Sequence, residues 1–187
     1  MNNIISSIEE NPIIAAIRNK DDIEKALESS VSTIFLLYSD IFNLKELVHK
    51  IKASDKRVFV HMDMIEGMGK DNKAIDYISQ IIKPDGIIST RSNHIKYARD
   101  KGLFTIQRFF LIDSLSFNTA VKTVKSVRPN MIEVMPGTIP ATIQKLSNKL
   151  SVPIIAGGLI DTKDDIISVL KVGALGVSVG KTDLWDL

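Results

Sequence analysis

The sequence predicts a compact (β/α)8 barrel of the TIM type, built from parallel strands and short helices. Three observations predict it. Short apolar runs alternate with helix-period segments along the whole chain, the pattern of strands covered on both faces and joined by right-handed crossovers. Eight such runs occur, the number that closes a barrel. The last two fall in 153–180, PIIAGGLIDTKDDIISVLKVGALGVSVG, and both end in glycine-containing turns, where barrels of this kind bind phosphate. An open doubly wound sheet is the structural alternative, and the two terminal glycine turns favour closure. At 187 residues the chain is short for this fold, so helices and loops must be brief and one domain is expected across 1–187.

Each element follows from its local pattern. Strand one is 12–18 (PIIAAIR), with Pro tolerated at its first residue. A helix begins near Asp21, with Ile23, Ala26 and Leu27 on one face and Ser29–Ser30 at its end. The strand TIFLLY (33–38) is β-branched, aromatic and apolar throughout, and 43–53 repeats apolar residues at Leu44, Leu47, Val48 and Ile51 as a helix. Strands at 57–62, 86–89, 104–108 and 131–135 alternate with helices at 74–82, 92–101, 115–127 and 139–150. Strand 153–156, a helix and strand 174–179 follow, and Leu184–Trp185 closes the chain.

Composition narrows the chemistry. The 44% hydrophobic and 25% charged content is that of a globular protein. Cysteine is absent, which excludes disulfides, thiol catalysis and thiolate zinc sites. The start, MNNIISSIEENP, has no basic region before an apolar core, and no run approaches the length that spans a bilayer; a cytoplasmic protein without a membrane partner is expected. No predicted strand carries Lys, so a Schiff-base mechanism is disfavoured, with Lys181 just past strand eight the nearest amine. Nucleophilic serine chemistry lacks a G-x-S-x-G elbow. A net charge of +2 permits anionic partners without demanding one.

Barrels place function where strands end. Gly157 and Gly158 lack Cβ atoms, so their amides can approach an anion closely. Ser178, Gly180 and Thr182 follow the last strand, and Lys181 adds positive charge. Arg18, Arg91 and Arg108, at three further strand ends, suit a phosphate or carboxylate; singly, each is expected to pair with Asp63 or Glu133. His61, Asp63, Glu66 and Glu133 could instead hold magnesium or perform acid–base work, although a hard-metal cage normally needs several converging carboxylates. Cations also gather as Lys45, His49, Lys50, Lys52, Lys56 and Arg57, as Lys96, Arg99 and Lys101, and as Lys122, Lys125 and Arg128. Such stripes are more often solvated helix faces than RNA contacts.

Six segments carry a resemblance: PIIAAIRN (12–19), FVHMDMIEGM (59–68), KPDGIISTRS (83–92), FTIQRFFLID (104–113), RPNMIEVMPGTIP (128–140) and VPIIAGGLIDT (152–162). In this order they resemble the glycerol uptake operon antiterminator family over nearly the whole chain. The resemblance implies a glycerol-3-phosphate-responsive regulator, not an enzyme, that acts on the leader of a messenger RNA, prevents termination and stabilises the transcript. It implies no required cofactor, with magnesium compatible, and is open to a homo-oligomer. Carried over, Gly157, Gly158 and Ser178 would bind phosphate, with Gly180 and Lys181 beside them. Arg18, Asp63, Arg91, Arg108 and Glu133 would surround the glycerol part. The last loop reads SVGKT where a more hydroxyl-rich run is expected. The resemblance does not locate the RNA surface, which is sought on Lys50, Lys52, Lys56, Arg57, Lys96 and Arg99. The rival reading is a metal-assisted phosphodiesterase using His61, Asp63 and Glu133.

Overall fold

In the computed structural model, which describes residues 2–187, eight parallel strands close into a barrel. They are β1 (Ile13–Ile17), β2 (Thr33–Leu36), β3 (Arg57–His61), β4 (Gly86–Ser89), β5 (Phe104–Phe110), β6 (Met131–Met135), β7 (Ile154–Gly157) and β8 (Gly176–Val179). Each pairs with its successor, and β8 closes on β1 through Ile13↔Val177 and Ile14↔Ser178. The helices are α1 (Asn2–Glu10), α2 (Asp22–Glu28), α3 (Leu44–Ala53), α4 (Asn72–Tyr77), α5 (Ser92–Asp100), α6 (Ser114–Val127), α7 (Pro140–Ser147) and α8 (Lys163–Lys171). The expected closed barrel is therefore found, with the expected short helices.

Two apolar layers hold it together. One lies between sheet and helices, where Val60, Ile132 and Val177 join helix residues Val48, Val124, Ile143 and Val169. The other fills the barrel with Ile14, Phe35, Phe59, Ile88, Phe104, Ile106, Met131 and Ile155. Phe59 packs edge-to-face on Phe35 and on Phe104, with both centroid separations 5.7 Å, a favoured geometry for aromatic rings. Gly86 makes room for them. A Cβ there would sit 2.8 Å from the Phe59 ring and closer still to the Phe104 carbonyl.

Helix ends follow local chemistry. Asp113 caps α6 by accepting from the Ser116 amide at 2.7 Å, and Thr162 caps α8 with Asp165 returning the bond, reciprocal caps that satisfy otherwise orphaned amides. Pro140 opens α7, where its missing N–H costs nothing.

The fold departs from expectation in places. Residues 2–10 form α1, and Ile8 is fully buried in the barrel interior with Ile4 and Ile5 beside it. Their spacing was available, but so short a helix gains its stability from closing the barrel floor. Segment 74–82 divides into α4 and a π-helical turn, Ile78–Ile82. Ser39–Asp40 and Ile65–Glu66 form a small separate parallel ladder between the segments after β2 and β3. Trp185 is buried, and its indole donates to the Val179 carbonyl at 2.8 Å.

Candidate ligand-binding site

Strand alternation builds the site. Side chains two residues apart share a face, so His61 follows Phe59, Arg108 follows Ile106, Glu133 follows Met131 and Gly157 follows Ile155 onto the barrel's inner side. The apolar interior thus ends upward in a polar layer. Arg108 Nε donates to Glu133 Oε2 at 2.6 Å, and the Ser178 hydroxyl donates to Glu133 Oε1 at 2.6 Å. Both charged side chains are buried, so each needs the other to offset lost hydration.

Gly157 exists for this pair. A Cβ on it would lie 2.6 Å from Glu133 Oε1 and nearer still to Ser178 Oγ. Gly157→Ala is expected to lower stability by about 1–3 kcal/mol through overpacking, measured by urea denaturation. An unchanged midpoint would show that the triad moves aside without cost.

Asp63 is held by several donors. It accepts from the Thr90 amide at 2.8 Å, the Thr90 hydroxyl at 3.0 Å and the Ser89 hydroxyl at 3.1 Å, with Arg91 Nε at 3.5 Å. The carboxylate therefore ties the segment after β3 to the segment after β4. Burial alone would raise its pKa; the Thr90 bonds, His61 and Ser89 outweigh burial and hold it below the ordinary value. The expected pairing of arginines with Asp63 and Glu133 is found for Arg91 and Arg108.

Arg18 forms no ion pair among the described residues. Its guanidinium lies beside Gly180, where an added Cβ would stand in ordinary contact with it at 3.8 Å. Arg18, Gly158, Leu159, Ile160, Asp161, Ser178, Gly180 and Lys181 line a cavity of about 450 Å³ at the ends of β1, β7 and β8. Gly158 and Leu159 are consecutive left-handed residues, with φ of +76° and +59°. A bulky residue is rare in that region, and Leu159 is also exposed. Turns that contain left-handed residues can bring successive loop amides toward an anion. Lys181 donates to the Asp161 carbonyl at 3.1 Å, which fixes its ammonium at the cavity edge.

Three buried groups in or beside the polar layer lack protein partners: both ring nitrogens of His61, Nη2 of Arg108 and Oε1 of Gln107. Buried polar atoms are normally paired, so the unpartnered atoms of His61 and Arg108 mark the polar layer as a candidate for ligand contact. Burial, then the Arg108 charge, pushes the His61 pKa down to about 4 against the opposing pull of Asp63, so the imidazole is neutral near pH 7. Gln107 differs in direction, since its amide donates to Ser92 at the start of α5.

Of the phosphate residues expected from sequence, Gly158, Ser178, Gly180 and Lys181 line one cavity with Arg18, while Gly157 packs against Glu133. Arg108 and Glu133 lie in the layer below, and Arg91 with Asp63 forms a separate cluster. Leu159, Ile160 and Asp161 line the cavity and were not anticipated; no periodicity marks them, and the Asp161 charge has the sign opposite to that sought for a phosphate site. Among the described residues, no three His, Asp or Glu side chains stand together as a metal would require. Glu66 is exposed on the small ladder.

The chain matches the family described as glycerol-3-phosphate responsive antiterminator over residues 13–185. It belongs to that family. A glycerol uptake operon antiterminator regulatory protein from Listeria monocytogenes is 40% identical, with a TM-score of 0.90 over 94% of this chain and 95% of that one. A glycerol uptake operon antiterminator-related protein from Thermotoga maritima is 30% identical, with a TM-score of 0.83 over 92% and 96%. The Escherichia coli (strain K12) uncharacterized protein YgcP is 33% identical over 98% of this antiterminator-family chain and 96% of its own.

The cations expected to meet RNA are largely occupied within this antiterminator-family fold. Lys50 pairs with Glu24, and Lys52 donates to the Lys83 carbonyl at 3.1 Å. Lys56 donates to the Ser29 and Val31 carbonyls at 2.7 and 2.6 Å, and burial lowers its pKa. Arg57 donates to Asn3 Oδ1 at 2.7 Å, while Arg99 reaches the Val127 carbonyl and Asp100. Lys96 is exposed on α5. Long side chains near strand and helix ends find carbonyls that sequence spacing does not reveal.

Proposed function

We propose that this protein senses glycerol-3-phosphate and, with the metabolite bound, acts on the leader of a messenger RNA to prevent termination and stabilise the transcript. Family membership supports the effector and the regulatory role. The observation that carries the ligand site is the cavity between Arg18, the left-handed pair Gly158–Leu159 and Gly180. In this reading the phosphate sits against those loop amides, with Arg18 and Lys181 supplying positive charge. The glycerol hydroxyls reach toward Nη2 of Arg108 and the neutral His61 ring, whose unpartnered atoms they would satisfy.

The enzyme alternative draws no support from the geometry. Glu133 is engaged by Arg108 and Ser178, and Asp63 by Thr90 and Ser89. In the sensor reading both carboxylates serve to hold neighbouring segments in place around the ligand.

A substitution tests the site directly. Gly158→Asp puts a like charge where the phosphate is expected, and such juxtaposition costs several kcal/mol, a loss of about a hundredfold in affinity or more. Gly158→Asn imposes the same backbone conformation without the charge, and should lose about tenfold or less. Titration calorimetry with glycerol-3-phosphate distinguishes them. Equal affinity for both variants and the parent would place the ligand elsewhere. Because a ligand shifts a conformational equilibrium only by its differential affinity for the two states, leader RNA must bind more tightly when the metabolite is present.

A further inference from the structure

Residues 114–160 carry five cations, Lys122, Lys125, Arg128, Lys145 and Lys149, and a single carboxylate, Glu133. That carboxylate is buried inside the barrel against Arg108, so the outer surface of this stretch is entirely cationic. The rest of the chain has 19 cations against 21 acids. The mild net charge therefore conceals a polarised molecule, with its positive surface concentrated on α6, α7 and the turns that follow them.

All five cations are exposed, and none forms an ion pair among the described residues. Four of them line a groove. Lys125, Arg128 and Lys149 share the walls of a cavity of about 340 Å³ where α6 ends and the chain leaves α7. Lys145 and Phe117 line a second cavity of about 500 Å³ nearer the mouth, where Asp113, the cap of α6, is the one carboxylate. Lys149 stands over the Phe117 ring at 5.3 Å, linking the two.

We infer that this α6/α7 groove is the RNA-docking surface, an inference that rests on the regulatory reading above. Unpaired Lys and Arg along a concave track attract a phosphate backbone, and a half-exposed ring among cations offers a stacking surface for an unpaired base. A membrane surface fits less well: the exposed apolar side chains Ile112 and Leu115 lie only at the mouth end of α6, while the cations continue to Arg128 and Lys149 at its far end.

The groove also adjoins the ligand site. The two units that bear it, β5–α6 and β6–α7, are those that hold Arg108 and Glu133. The Gly158 carbonyl accepts from the Gly137 amide at 2.9 Å, the Met135 carbonyl accepts from the Leu111 amide at 2.8 Å, and Leu111 lines the same cavity as Phe117. A change at the Gly158 loop thus has a contiguous route to the groove.

The test measures binding of a fluorescently labelled transcript of the source organism's glycerol uptake operon leader, with saturating glycerol-3-phosphate and across a salt series. One variant combines Lys125→Glu, Lys145→Glu and Lys149→Glu; a second carries Gln at the same positions; a control combines Lys45→Glu, Lys50→Glu and Lys52→Glu on α3. The Glu set on α6/α7 should bind at least about tenfold more weakly, and the Gln set should flatten the salt dependence by roughly two to three units. The α3 control should stay close to the parent, and all three should bind glycerol-3-phosphate normally, which establishes that they are folded. Full RNA binding by the α6/α7 variants would overturn the groove while leaving the sensor reading intact. Parent protein that binds the metabolite but no leader RNA would overturn both. Binding to phosphatidylserine vesicles in place of RNA, lost in the α6/α7 variants, would assign the groove to a membrane and overturn the inference.

Discussion

Glu133→Ala is expected to destabilise the protein by about 3–5 kcal/mol, the range for removing one partner of a buried ion pair. The carboxylate is fully buried and holds Arg108 through one oxygen and Ser178 through the other. Its loss leaves a guanidinium that already has one unpartnered nitrogen with no counter-charge. That is a large share of the roughly 5–15 kcal/mol that stabilise a typical domain. Urea denaturation measures the loss directly. A double substitution, Arg108→Met with Glu133→Leu, removes both charges and should recover a large part of the stability. If the single variant lost under about 1 kcal/mol, water would have to enter the layer and solvate Arg108.

The second large effect is a fall in stability on acidification. His61 has a folded pKa near 4 against an ordinary 6.5, caused first by burial and then by the Arg108 charge. Between those values the unfolded chain binds a proton that the folded chain refuses, so stability declines as pH falls through this window. The decline is complete near pH 4 and amounts to roughly 3 kcal/mol. Asp63 acts in the same sense but lower down: its depressed pKa contributes stability that is fully present above the ordinary carboxylate value and is lost as pH falls through the folded value. Urea midpoints at about pH 7, 6, 5 and 4.5 isolate His61 from the carboxylates. A His61→Asn variant should remove most of the slope. A parent protein of constant stability across that range would show that the ring accepts a proton in place.

These two effects arise from one layer of side chains, and they explain why part of the site was legible in sequence and part was not. Arg18, Arg108, Glu133, Ser178 and the glycine turns were readable because each stands at the end of a short apolar strand, where a parallel barrel exposes its loops. Period-two alternation even fixes which of them face inward. What a glycine is for was not readable. Gly157 and Gly158 are adjacent and chemically identical, yet one leaves room for Glu133 and Ser178 while the other adopts a left-handed turn beside the cavity. That difference depends on atoms contributed by strands 24 and 21 residues away in the chain.

Charge showed the same limit. The sequence by itself determined eight strands, their parallel order, the apolar interior and the family, because these depend on local periodicity and on motifs read along the chain. Only the tertiary structure decided which cations are free. Lys56 and Arg57 are as basic in sequence as Lys125 and Arg128, but the first two reach across to neighbouring carbonyls and side chains while the latter two line an open groove. Side-chain partnership is set by distances between elements far apart in the chain, and no one-dimensional pattern encodes those distances.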